Sequence, residues 1–475
     1  MKTFYFYDTE TSGIRPSSSR IMQFAGMRTD EDLQLVGEPD DLLIKLPPDI
    51  LPDPEAILVH GITPQQTLQD GLTEAEFSRY FQEKIALPDT VFIGFNSVRF
   101  DDEFVRYTMY RSFYEPYEWQ WKEGRSRFDV MDMLRMMRAL RPEGIEWPVT
   151  DEGKPTVRLE LMTKMNGIEH VGAHTALADV KATVDLAVLV RNKQPKLFNY
   201  LLNLRAKRDV AQLVEAGDPF VYTSGKYSNE GLKTTLVSML LKHPKRDAAV
   251  VYDLRYDPTQ FFAMSVEQLA VSWRAKYDED VIRLPLKTLQ YNRCPAVAPQ
   301  TVLDAASIER IGLDMAAAKR HLQLLKDTPD FADRIAEALG ILEDKQAALA
   351  LENTDVEHQL YDSFWNDRDR LQLELVRHHA PGTLGELLPK LGSKRLQKLL
   401  PLYKARNYPQ FLSDEEHEAY EIYRQDKLLG GGMESNYAKF VNRLQDLAKS
   451  RTSDRDQYLL TELQLYAESI VPIVD

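Results

Sequence analysis

Four aromatic residues in a row, Phe4-Tyr5-Phe6-Tyr7, lead directly into Asp8-Thr9-Glu10. Aromatic side chains favour strands, and side chains at i and i+2 of a strand share a face. Asp8 and Glu10 are therefore expected to point to one spot at the strand's end, with Thr9 pointing away. Paired carboxylates repel unless a cation lies between them, and hard oxygen ligands suit Mg²⁺ or Mn²⁺. An acidic surface turn would have the same local sequence, so a metal site requires other residues to join the pair.

The surrounding pattern is that of an α/β unit. Strands are predicted at Thr3–Tyr7, Ile21–Arg28 and Thr90–Phe95. Helices are predicted at Thr73–Ile85, Asp102–Phe113, Asp129–Ala139 and Ala176–Arg191, an alternation that implies a mixed sheet. Near Pro195 the pattern changes. Phe220–Tyr222, Ala248–Leu254 and Val281–Leu284 read as short strands of a small β-rich domain. From Leu303 the chain reads as helical, with spans at Ala305–Leu325, Phe331–Leu342, Glu357–His379, Leu384–Tyr403, Asp414–Leu428 and Asn436–Ala448. The expected units are 1–192, 195–348 and 351–475, with a hinge at Glu352 to Val356. Gly430-Gly431-Gly432 lacks the Lys-Ser or Lys-Thr of a phosphate loop and reads as a connection.

Two further acidic elements accompany the first. Asp101, in Asn96-Ser97-Val98-Arg99-Phe100-Asp101, lies between a strand and a helix, where it serves either as a helix cap or as a group facing a cleft. Asp179 opens an apolar helix, five residues after His174. Five helical residues turn by about 500°, so His174 and Asp179 serve one site only if His174 sits in the preceding loop. Four carboxylates and a histidine make a parts list for two-metal phosphodiester hydrolysis. Asp8 would anchor the ions, Glu10 and Asp179 would complete their shells, and Asp101 would act through the second ion or its waters. His174 would deprotonate the attacking water.

In this order, Asp8-x-Glu10, Asn96-x-x-x-Phe100-Asp101 and His174-x-x-x-x-Asp179 resemble the three motifs of the DEDDh class of 3′→5′ exonucleases. The wording of Val98–Glu103, Ala139–Ile145, Asn166–His170, Arg293-Cys294-Pro295 and Lys404–Pro409 is similar to the bacterial exonuclease I family, single-strand-specific exodeoxyribonucleases. The resemblance implies an α/β ribonuclease-H-like exonuclease domain, then an SH3-like β-rich domain and an α-helical C-terminal domain. It implies two Mg²⁺ ions, replaceable by Mn²⁺, and processive release of 5′-mononucleotides from single-stranded DNA in repair, recombination and mismatch correction. It also implies that Arg158 binds substrate and that Glu10 touches the terminal 3′-hydroxyl.

Sequence-tolerant binding of a single strand uses aromatic stacking and cationic phosphate contacts. The aromatic-basic segment from Arg106 to Arg127 offers both, and Arg106, Tyr117 and Trp121 are its predicted DNA contacts. Arg135, within a Met-rich helix, needs an anionic partner, for which a phosphate is a candidate. His60 reads as structural. The resemblance further implies docking of the C-terminal tail of single-stranded DNA-binding protein (SSB), for which Arg141, Tyr200 and Arg205 are the candidate pocket. The net charge of −14 implies poor long-range steering toward DNA, leaving affinity to close contacts. A single cysteine, Cys294, excludes an internal disulfide. With no apolar stretch of about 20 residues and no leader-like start, a cytoplasmic monomer is expected. The alternatives are an RNA-directed exonuclease of the same class and a catalytically silent DNA-binding module. The intact carboxylate set argues against a pure binder, because it concentrates negative charge where phosphate must approach.

Overall fold

The computed structural model describes residues 2–172, 175–276, 281–351 and 355–472, the side chains of 349–351 excepted. The first sheet comprises β1 (Thr3–Thr11), β2 (Ile21–Thr29), β3 (Asp40–Leu43), β4 (Thr90–Gly94) and β5 (Ser126–Asp129), in the order β3-β2-β1-β4-β5. β1, β4 and β5 pair in parallel, while β2 runs the other way and pairs antiparallel with both β1 and β3.

β1 is longer than predicted and carries Asp8-Thr9-Glu10 within it, with its pairing to β2 slipping between Glu10 and Thr11. Its two faces enter two cores. Phe4 and Phe6 pack with the helices Val130–Leu140 and Ala176–Lys193. Tyr5 and Tyr7 pack with Phe24, Phe77, Phe81, Phe92 and Trp119. Gly26 in β2 is required by this second core, since a Cβ there would lie 2.1 Å from the Tyr5 hydroxyl.

The second sheet is formed by β6 (Phe220–Thr223), β7 (Thr234–Lys242), β8 (Ala248–Asp253), β9 (Leu286–Gln290) and β10 (Ala296–Pro299). It is antiparallel throughout, in the order β10-β6-β7-β8-β9. The predicted strand Val281–Leu284 is irregular backbone; the Leu284 amide bonds to the Ser272 carbonyl, outside any sheet.

The helical region keeps the expected character but not the expected continuity. The span read as Ala305–Leu325 is two helices, Ala305–Arg310 and Met315–Asp327. Gly312 turns left-handed between them, and Asp314 caps the second by accepting from the Ala316 and Ala317 amides. Glu357–His379 is likewise split into a tight turn, Val356–Tyr361, and a helix, Asp367–His378, started by an Asn366–Asp369 capping box. The helix Asp454–Ile470 was not anticipated. Residues 352–354 of the expected hinge lie outside the described residues.

Buried charges tie the helical region to the first sheet's unit. Glu357 accepts from Arg20 at 2.6 Å and from Arg406 at 2.8 Å. Asp49 accepts from Arg406 and Lys427, both at 2.6 Å. Within the first unit, Glu74 receives Arg111 at 2.6 Å. Arg406 is held well above the usual guanidinium range by Asp49 and Glu357, which overcome the opposing effect of burial.

Candidate active site

Three carboxylates meet beside β1. Asp8, Glu10 and Asp179 each offer an oxygen within 4.8 Å of the others. Asp8 and Glu10 share the Phe4–Phe6 face, as period-two alternation requires. Asp179 reaches the same face from the first turn of the helix Ala176–Lys193, which packs there.

Asp101 arrives from the other side. It begins the helix Asp101–Arg111, and its Oδ1 accepts from the Thr9 amide at 3.1 Å and the Thr9 hydroxyl at 2.5 Å. Thr9 thus does not simply point away, as expected, but anchors the fourth carboxylate. The turn that delivers Asp101 is fixed by Asp129, whose carboxylate accepts from the amides of Asn96, Val98 and Met131. Asn96 takes a left-handed φ of 67° at the start of that turn.

The electrostatics of the cluster are those of anions short of a partner. Burial, then Asp101, Glu10 and Asp179, raises Asp8 well above the usual carboxylate range. Burial, then Asp179 and Asp101, pushes Glu10 up to about 8. Burial also pushes Asp101 to about 7, against the lowering effect of its Thr9 bonds. A divalent cation reverses each of these repulsions. Three convergent oxygen donors, with no nitrogen or sulfur ligand grouped with them among the described residues, fit a hard ion such as Mg²⁺ or Mn²⁺.

His174 lies outside the described residues. A different histidine, His170, is placed against the cluster: its Nε2 is 2.6 Å from Asp179 Oδ1, and its Nδ1 is 3.2 Å from the Thr163 hydroxyl. Sequence reasoning noted His170 only as the end of the Asn166–His170 motif. His60 is structural: its Nδ1 accepts from the Ile62 amide, its Nε2 faces the Thr11 carbonyl, and burial pulls its pKa down to about 4.

The predicted DNA contacts divide. Arg106 is turned inward, against expectation; it is buried, and its two terminal nitrogens bond to Glu103, Gln120 and Tyr361. Arg135 finds its anion in Asp132 at 2.6 Å. It still lines a cavity of about 420 Å³ with Arg138, Lys154, Lys233 and the exposed Arg158. Trp121 is 62% exposed. Half-buried Tyr117 packs on Tyr361 and on Phe364, which is 80% exposed. Phe364 was missed, although Tyr361, Phe364 and Trp365 form an aromatic cluster in the sequence. A second cleft, about 530 Å³, was also missed; Arg99, Lys226, Arg246, Arg283, Lys287 and Arg293 line it. Burial, Arg283 and Lys226 together lower Lys287 to about 8. Arg99, Lys226 and Arg246 join the Arg283–Arg293 stretch only through the fold, so no single run announces the cleft.

The three candidate peptide-pocket residues each make bonds within the fold. Arg141 bonds to the Val302 carbonyl and pairs with Asp304 at 3.2 Å, while the Tyr200 hydroxyl faces the Val297 carbonyl. Arg205 bonds through Nε to the Ser126 hydroxyl and through Nη1 to the Leu202 carbonyl.

Comparison with known proteins covers the whole chain. Residues 5–187 match an exonuclease family model, 205–340 the exonuclease I SH3-like domain, and 354–470 the exonuclease I C-terminal domain. Exodeoxyribonuclease I of Haemophilus influenzae is 37% identical over 98% of both chains. Escherichia coli exonuclease I in complex with a dA16 oligonucleotide superposes with a TM-score of 0.92 at 35% identity, covering 99% of this chain and all of that one. A structure of SSB/Exonuclease I with the inhibitor CFAM gives 0.89 at 34% identity, with the same coverage. The architecture is thus an α/β exonuclease domain, an SH3-like domain and a helical C-terminal domain.

Proposed function

Because the chain belongs to the exonuclease I family and is an exodeoxyribonuclease, we propose that it degrades single-stranded DNA from the 3′ end, with two Mg²⁺ ions. The observation that carries this reading is the convergence of Asp8, Glu10 and Asp179, with Asp101 tied to the same strand through Thr9. The oligonucleotide bound to the E. coli relative supports single-stranded DNA as substrate.

The metal, when bound, supplies a clamp on the attacking and leaving oxygens and lowers the pKa of water. Asp8, Glu10 and Asp179 would hold the ions, and Asp101 would act from the Thr9 side. Glu10 also receives the terminal 3′-hydroxyl. His174 takes the proton of the attacking water. Arg158 and Arg135 face the backbone phosphates from the cavity they share, and Trp121 and Tyr117 offer surfaces for bases. The SH3-like and C-terminal domains enclose the strand, so that 5′-mononucleotides leave without release of the DNA. We assign the activity to DNA repair and recombination by a cytoplasmic monomer. Among the described residues no helix is long and apolar enough to cross a membrane. The SSB-containing relative supports docking of an SSB tail, with Arg141 and Tyr200 as its candidate contacts and Arg205 the weakest of the three.

The test uses 5′-labelled single-stranded DNA, duplex DNA and RNA, with Mg²⁺ or chelator, beside an Asp8→Ala variant. Shortening of single-stranded DNA that stops with chelator and in the variant is expected. Degradation that survives either would overturn the mechanism, and preference for RNA would overturn the substrate.

A further inference from the structure

The acidic triplet Asp101-Asp102-Glu103 sends its side chains to three destinations. Asp101 is held by Thr9 at the site. Asp102 is fully buried and accepts from the Tyr7 hydroxyl and the Arg127 guanidinium, with Arg106 Nη2 4.0 Å away. Glu103 accepts from Arg106 at 2.6 Å, from Arg293 at 3.0 Å and from the Tyr361 hydroxyl.

Tyr7 precedes Asp8 in β1, and Asp102 follows Asp101 in its helix. The Tyr7–Asp102 bond therefore joins the residues next to Asp8 and Asp101 and sets the spacing between strand and helix. Arg127 extends the link. Its Nη2 donates to the Asn292 carbonyl at 2.5 Å, and its own carbonyl accepts from the Cys294 thiol at 3.1 Å. Asn292–Cys294 lies in the connection between β9 and β10 of the SH3-like domain. Cys294 holds a left-handed φ of 46°, a conformation that a non-glycine residue keeps only where its surroundings over-determine it. Arg293, between them, reaches Glu103. This turn thus grips the start of the Asp101 helix twice, through Arg127 to Asp102 and through Arg293 to Glu103.

A buried carboxylate–guanidinium pair gains little stability over an apolar pair of the same volume. What it does supply is a fixed geometry, and displacement of a reacting group by about 1 Å costs about 10²-fold in rate.

We propose that Asp102 and Arg127 are positioning residues of the nuclease site. With Tyr7 they set Asp101 relative to Asp8, and they make the Asn292–Cys294 turn of the SH3-like domain part of the catalytic apparatus. This inference rests on the assignment of Asp8 and Asp101 to the metal site made above.

Full-length Tyr7→Phe, Asp102→Asn, Arg127→Lys and Asp8→Ala variants are compared for kcat, KM and Mg²⁺ midpoint on single-stranded DNA, with thermal melting alongside. Asp102→Asn is expected to lower kcat by about 10²-fold and to raise the Mg²⁺ midpoint, with little change in KM. Tyr7→Phe, which removes one hydroxyl, is expected to lose about 10-fold in kcat. Arg127→Lys keeps the charge and is expected to fall between wild type and Asp102→Asn. Unchanged kcat and Mg²⁺ midpoint in Tyr7→Phe and Arg127→Lys would overturn the proposal, as would losses that merely track the melting temperature. These two variants decide the matter if Asp102→Asn fails to fold. Full activity in Asp8→Ala would instead bring down the site assignment on which the proposal stands.

Discussion

Without a divalent cation the clustered carboxyls cannot all ionise at neutral pH, and that makes the stability of the metal-free protein depend on pH in an unusual direction. Glu10 rises from 4.5 to about 8 through burial and the charges of Asp179 and Asp101. A carboxyl that holds its proton more tightly when folded stabilises the fold below its unfolded pKa. That contribution is lost as pH climbs through the folded value. For Glu10 the window therefore runs from about 4.5 to about 8. At 1.36 kcal/mol per pKa unit, the loss from this one group is about 5 kcal/mol. Protonation of one carboxyl relieves the repulsion on its neighbours but not their burial, so the figure is that of Glu10 alone. At roughly 2–4 °C per kcal/mol for a unit of ordinary domain size, the unfolding temperature in chelator should drop by about 10 °C between pH 5 and 8.5. Mg²⁺ should restore it. Calorimetry of wild type and Glu10→Gln, in EDTA and in Mg²⁺, at pH 5 and 8.5, provides the measurement. Glu10→Gln separates the site from the overall charge of −14 and should flatten most of the EDTA pH dependence. A wild type equally stable at both pH values, with no gain from Mg²⁺, would refute the claim that these groups share a cation site.

Two other outcomes are expected. Glu357→Gln removes the anion that faces Arg20 and Arg406, and Lys427 at 3.5 Å, deep between the first and third units. Urea unfolding should show a loss of about 3–5 kcal/mol, the cost of leaving buried charge uncompensated. Trp121→Ala removes an exposed ring and should weaken single-stranded DNA binding by about 1–3 kcal/mol. Fluorescence titration with a labelled oligonucleotide in Ca²⁺, without turnover, measures this, and an unchanged affinity would exclude Trp121 from the binding face.

The sequence by itself determined the order of the three units, because each has its own local signature: strand–helix alternation, short strands between turns, then helical periodicity. It also determined that Asp8 and Glu10 share a face, since that follows from the pleat of one strand. The helix at Val130–Leu140 was legible from its apolar pattern, and Asp129 caps it. Strands β3, β5, β7, β9 and β10 were not legible. β7 begins with five buried residues in succession, so it lacks the alternation that announces a half-exposed strand. Tertiary structure alone decided that Arg106 lies inside, because its partners Gln120 and Tyr361 come from other segments. It alone turned Thr9 into the anchor of Asp101, and brought Arg99, Lys226, Arg246 and the cations between Arg274 and Arg293 into one cleft. Periodicity and capping are read within a few residues of chain, whereas burial and charge pairing depend on what the fold carries in from elsewhere. The strand face that Asp8 and Glu10 share was therefore written locally, and the carboxylates that meet them there were set by the fold.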